Sequence, residues 1–112
     1  MKITQETHNK KATLRLEGNF TYTQRKAFQE ALKTVSTDQV EEVVIDLSQV
    51  AFLDSAALGL LMISHRQLDG EKRKLSLAYP QPTVRQILEL ANLHKTIPMI
   101  ESGVSSLAKK SA

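Results

Sequence analysis

Apolar and polar positions alternate along the first part of the chain. Ala12, Leu14 and Leu16 interleave with Thr13, Arg15 and Glu17, the period of a strand with one buried face. Ile3 to Glu6 is a weaker strand candidate, and Asn9-Lys10 would turn the two into a hairpin, with Gly18 expected to end the second strand. Thr21 and Gln24 then stand at capping-box spacing, which predicts a helix from about Tyr22. Ala27, Phe28, Ala31, Leu32 and Val35 form its apolar stripe, while Arg25, Lys26, Gln29, Glu30 and Lys33 fall on the wet side.

Val43-Val44-Ile45-Asp46-Leu47 reads differently, as a nearly continuous apolar run. Burial on both faces predicts a central, parallel strand. Ser48 to Leu53 is expected to be a loop, followed by a helix from about Ala56 to Leu68 that is apolar almost all round in its first half. Gly59 inside that helix costs about 1 kcal/mol against Ala, which predicts a close backbone approach there. Leu75, Leu77 and Tyr79 mark one face of a further strand, Lys74 to Tyr79. Gln81-Pro82 opens a third helix with Val84, Ile87, Leu88 and Ala91 as its stripe and Asn92 at its end. Thr96 to Ile100 is a short strand held to an edge by Pro98, and Ser102-Gly103 would begin a last helix carrying Val104, Leu107 and Ala108. The order β-β-α-β-α-β-α-β-α implies an α/β fold, with a mixed, mainly parallel sheet of about five strands and about four helices.

At 112 residues the chain fits one domain, residues 1–112, without room for a second core. Aromatic residues are only 4% and Trp is absent, so the core must be mostly aliphatic; Cys is absent too, so disulfides and thiolate metal sites are excluded. That suits a reducing cytoplasm. The first residues contain no apolar stretch of a secretory signal, and the longest apolar run, Ala56 to Ile63, is too short to span a bilayer. Neither export nor membrane insertion is expected. The net charge of +3 is distributed over short clusters such as Lys72-Arg73-Lys74, which read as solvated turns and helix ends rather than a nucleic-acid stripe.

Catalytic and cofactor chemistry finds little support. His8, His65 and His94 have no metal-ligand spacing, and Gly18, Gly59, Gly70 and Gly103 form no phosphate loop. No cofactor is expected. Ser55 stands between a strand and a helix, but the glycines of a nucleophile elbow are missing and His65 lies too far along the same helix to activate it. A small serine esterase is therefore the weakest of the readings considered. The simplest reading of Asp54-Ser55 is a helix cap.

Val43-Val44-Ile45-Asp46-Leu47-Ser48 followed by Phe52-Leu53-Asp54-Ser55-Ala56-Ala57-Leu58-Gly59 resembles the signature of the STAS domain family, and within it the bacterial anti-sigma factor antagonists. The resemblance extends over nearly the whole chain. It implies a STAS-like fold and a binding protein rather than an enzyme. Ser55 would be the position phosphorylated by an anti-sigma factor that is also a serine kinase, or by a dedicated kinase. The unphosphorylated form would bind the anti-sigma factor, and a serine phosphatase would restore it. Asp54, Ser55, Ala56, Asn19 and Thr21 would lie on the partner-binding surface, together with the Gly18-to-Tyr22 turn and the Ser48-to-Leu53 loop. Two positions depart from the family pattern: Ala56-Ala57 stands where Ser-Gly is frequent, and Thr21 where an Asp commonly caps the first helix. The rival reading is a STAS-type structural subunit of a transport or signalling complex, with Ser55 never modified.

Overall fold

The computed structural model describes residues 1–101. β1 (Lys2–His8) and β2 (Lys11–Phe20) form an antiparallel hairpin. Its turn is Asn9-Lys10, with φ of 50° and 66°. Two positive φ values in a two-residue turn match the twist of the paired strands, so the turn itself sets the register that places His8 opposite Lys11. A 3-10 turn at Tyr22–Gln24 leads into α1 (Arg25–Val35). β3 (Glu42–Leu53), α2 (Ser55–Gly70), β4 (Lys74–Ala78), α3 (Pro82–Leu90) and β5 (Met99–Ile100) complete the described chain. The fold is α/β, and its five strands lie in sequence order, with β2 through β5 parallel to one another. The expected last helix, with Val104, Leu107 and Ala108, lies outside the described residues.

One face of the sheet carries Ala12, Leu14 and Leu16, then Val43, Ile45 and Leu47, then Leu75 and Leu77, all in a single aliphatic core. Phe28, Leu32 and Val35 of α1, Ala57, Leu60, Leu61 and Leu68 of α2, and Val84 and Leu88 of α3 belong to the same core. The Phe20 and Phe28 rings meet within it at a centroid distance of 5.0 Å. On the opposite side of the central strands Val44, Asp46, Ser76 and Ala78 are buried as well, as the unbroken apolar run required. Asp46 is accommodated there by accepting from the Ser48 N–H at 2.9 Å and from Arg15 Nε at 3.3 Å.

Several expectations are corrected. Gly18 does not end β2; it sits inside the strand at φ 104°, and pairing continues to Phe20. Ser48 to Leu53 is not a loop but the second half of a 12-residue strand. Two register shifts against β2, between Arg15 and Glu17 and between Gly18 and Asn19, insert extra residues on the β3 side, so that strict alternation is lost. Gly59 is exposed, and a Cβ placed on it would meet nothing within 4 Å. No close approach among the described residues explains it. α2 is not apolar-packed all round either: Ser55, Gly59 and Ile63 form an exposed line at helical spacing. Ala27 and Ala91 are exposed rather than part of the core stripes, and Tyr79 leaves β4 at φ 54° with its side chain facing outward.

Candidate functional site

Two strand-to-helix junctions lie side by side at the carboxyl edge of the parallel sheet. Asn19 pairs with Phe52 and Phe20 with Leu53, so the chain leaves β2 and β3 at the same level. Each strand then turns directly into a helix. Asp54 joins the junctions through its backbone, whose N–H donates to the Phe20 carbonyl at 3.2 Å.

Its side chain joins them again. Asp54 Oδ1 accepts from the Ala57 N–H at 2.9 Å, capping α2, and Oδ2 accepts from the Tyr22 N–H at 3.0 Å, at the start of the turn that leads into α1. Unpaired N–H groups at a helix start favour an anionic acceptor. The first turn of α1 and the 3-10 turn before it contain no acidic residue. Asp54 supplies the missing charge from another segment. At Thr21 the capping-box pair is present as expected, with Gln24 Oε1 accepting from the Thr21 N–H at 2.9 Å and from its hydroxyl at 2.7 Å.

Ser55 is the first residue of the 16-residue α2, and it is exposed. Asn19, opposite Phe52 on the neighbouring strand, is exposed as well, whereas Thr21, Asp54 and Ala56 are half-buried. All five positions singled out from the sequence therefore fall at or next to these two junctions. The aromatic members of this edge, Tyr22 and Phe52, lie within the two segments expected at this surface but were not singled out by residue. Tyr22 is 60% exposed and Phe52 45% exposed, and the Arg25 guanidinium lies 4.9 Å from the centre of the Tyr22 ring. Tyr22 follows the Thr21 cap and Phe52 stands two residues before the Asp54 cap, while Phe20 and Leu53 next to those caps are buried.

The edge is not built for hydrolysis. His65 lies ten residues beyond Ser55 on α2, about 15 Å along the axis. Among the described residues, no group of three or more His, Asp or Glu is placed to hold a metal ion. None of the described helices is long and apolar enough to cross a membrane.

A family profile described as "Mlab, STAS domain" matches residues 3–101. The chain belongs to the STAS domain family. A STAS-domain containing protein of Pseudomonas aeruginosa is 32% identical over 83 residues, covering 74% of this chain and 81% of the relative. The crystal structure of an anti-sigma factor antagonist from Mycobacterium paratuberculosis superposes with a TM-score of 0.80 at 26% identity, covering 96% of this chain and 92% of that one. The Bacillus cell fate determinant SpoIIAA, solved in its phosphorylated form, superposes with a TM-score of 0.71 at 18% identity, covering 99% of this chain and all of the other.

Proposed function

We propose that this STAS domain is an anti-sigma factor antagonist, which binds an anti-sigma factor or related regulator through the edge around Ser55 and is switched off by phosphorylation of Ser55. The exposure of Ser55 at the start of α2 supports this reading most directly, because a kinase needs that hydroxyl in solvent. Asn19, Thr21, Asp54 and Ala56 surround it as the polar and small members of the contact. In the transfer, the Ser55 oxygen bonds to the terminal phosphorus of a nucleoside triphosphate supplied by the kinase, the diphosphate leaves, and the hydroxyl proton passes to a base on the kinase. A phosphatase reverses the state by hydrolysis. The names of the relatives support an anti-sigma factor as the partner.

The energetics are sufficient for a switch. A phosphate brings about −2 charge to the interface. Burying it without a cationic mate costs several kcal/mol, against about 8 kcal/mol for a micromolar complex. Affinity capture from the native organism with Ser55→Ala and Ser55→Asp forms tests the reading. The Ala form is expected to retain an anti-sigma factor that the Asp form loses, and identical retention by both would refute it.

The second reading is a STAS-type structural subunit of a transport or signalling complex, with Ser55 never modified; membership of the STAS family fits it equally. Intact-mass measurement of protein from native cells separates the two. A species heavier by about 80 Da supports the switch, and its persistent absence supports the structural role.

A further inference from the structure

The two edges of the sheet are finished differently. At one, β5 has two residues and follows Pro98, which blunts it. At the other, β1 runs for seven residues without proline, glycine or a positive φ, and its register with β2 is unbroken. All of β1 but the half-buried Ile3 is exposed, and among the described residues only β2 pairs with it. The Asn9-Lys10 turn fixes which backbone groups face outward. Such a turn closes on a hydrogen-bonded pair, His8 with Lys11, and hydrogen-bonded pairs alternate along an antiparallel ladder. Lys2, Thr4 and Glu6 therefore bond inward to β2, whereas Ile3, Gln5 and Thr7 turn their N–H and C=O groups to the open edge. A long, regular edge with free backbone groups is a template for another strand.

The side chains specify which strand. We infer that β1 pairs antiparallel with β1 of a second copy of this chain, about a twofold axis at Thr4, so that two sheets join into one. In that register Ile3 of each copy exchanges backbone bonds with Gln5 of the other, as their outward groups require. Lys2 of each copy faces Glu6 of the other, and Thr4 faces Thr4, at the non-hydrogen-bonded positions where opposed side chains are closest. Among the described residues neither Lys2 nor Glu6 has an ion-pair partner within its own chain. Other registers that keep the outward groups paired set Lys2 against His8, or Glu6 against Glu6. Charge selects the first.

The helix side accommodates the second copy. α1 packs over β1 and β2 with α2 on its inner side, where Gln29 and Lys33 line the groove between the two helices. Ala27, Ala31 and Thr34 lie on the opposite side of α1, at i, i+4 and i+7, toward the free edge. These short side chains let the two α1 helices meet across the axis, which covers Ala27, exposed in the single chain. Ser55 opens α2 after β3, and β2 stands between β3 and this edge, so the pairing leaves its hydroxyl accessible. The dimer is independent of any phosphorylation.

Sedimentation equilibrium of the full chain at low salt is expected to show a monomer–dimer equilibrium in the micromolar range. Lys2→Glu and Glu6→Lys each set like charges opposite one another on both sides of the axis, and each should weaken the dimer about tenfold. The double variant Lys2→Glu/Glu6→Lys restores opposite signs and should return to within about threefold of the wild-type dissociation constant. Net charge alone would push the two single variants in opposite directions, since one lowers it and the other raises it. Thr4→Cys, in a chain otherwise free of Cys, is expected to oxidise in air to a disulfide-linked dimer. Glu6→Cys is not, because its counterpart lies about 13 Å away along the ladder. A chain that sediments as a monomer up to about 1 mM would overturn the inference. So would single variants that associate as tightly as the wild type, a double variant that does not recover, or equal cross-linking from positions 4 and 6.

Discussion

The carboxylate of Asp54 accepts the amide proton of Tyr22 at 3.0 Å, across 32 residues of sequence, while its other oxygen caps α2 at Ala57. One side chain thereby fixes the spacing of two helix starts at the edge where Ser55 is exposed. Asp54→Ala removes the acceptor of both amides and is expected to lower stability by about 2 kcal/mol, the sum of a lost N-cap and a second charge-assisted bond. Asp54→Asn keeps one acceptor and should lose less. Urea unfolding of the three proteins measures the difference, and equal midpoints would show that the tie contributes nothing.

Gly59 gives a prediction of the opposite sign. It lies inside α2, is exposed, and a Cβ there would touch nothing within 4 Å. Gly59→Ala should therefore stabilise the chain by about 0.5–1 kcal/mol, through lower entropy of the unfolded state and better helix propensity. Thermal unfolding would register this as a rise of a few degrees. A fall would mean that the helix needs the glycine for a reason its own packing does not reveal.

Lys10 occupies the second position of the hairpin turn at φ 66°, a conformation that L side chains adopt at a cost of about 1 kcal/mol. Its ammonium pairs with Glu41 at 3.6 Å between two exposed side chains, a contact worth little. Lys10→Gly is expected to raise stability by about 0.5 kcal/mol, because an Asn-Gly pair is the one that this turn geometry favours. Chemical denaturation decides the sign.

Arg73 ties the segment between α1 and β3 to the turn after α2. Its Nε donates to the Val40 carbonyl at 3.0 Å and its Nη2 to the Thr37 carbonyl at 2.9 Å, and it pairs with Glu71 and with Asp38. The side chain is only 14% exposed. Arg73→Ala is expected to cost about 1–2 kcal/mol, because it takes the guanidinium donor from the Val40 carbonyl in a part-buried contact, while the exposed Thr37 carbonyl keeps the Val40 N–H at 3.0 Å. Arg73→Lys should recover little, since an ammonium cannot span both carbonyls with the guanidinium's fork. Full recovery by Lys would argue that only the charge matters.

What the sequence disclosed and what it hid follow from the range of the interactions involved. The hairpin turn at Asn9-Lys10, the cap pair Thr21 and Gln24, the buried run from Val43 to Leu47 and the Pro82 helix start are all written in neighbouring residues, and all are present. The second half of β3 was hidden because two register shifts against β2 put Val50 and Leu53 inward three positions apart, which matches neither strand nor helix period. Ala27 and Ala91 were placed in the core by spacing alone, but a small side chain at the margin of a stripe is easily left in solvent. At the candidate site, Ser55 and Asp54 were legible as a cap. The bond from Tyr22 to Asp54 was not, since only the pairing of β2 with β3 brings those residues together.

The central claim concerns binding, and calorimetry addresses it most directly. The regulator retained by the Ser55→Ala form would be purified and titrated with the unmodified chain and with the chain carrying phosphoserine at position 55. Phosphorylation is expected to weaken the complex by at least about 100-fold, the equivalent of some 2.7 kcal/mol. Equal dissociation constants for the two forms would contradict the account.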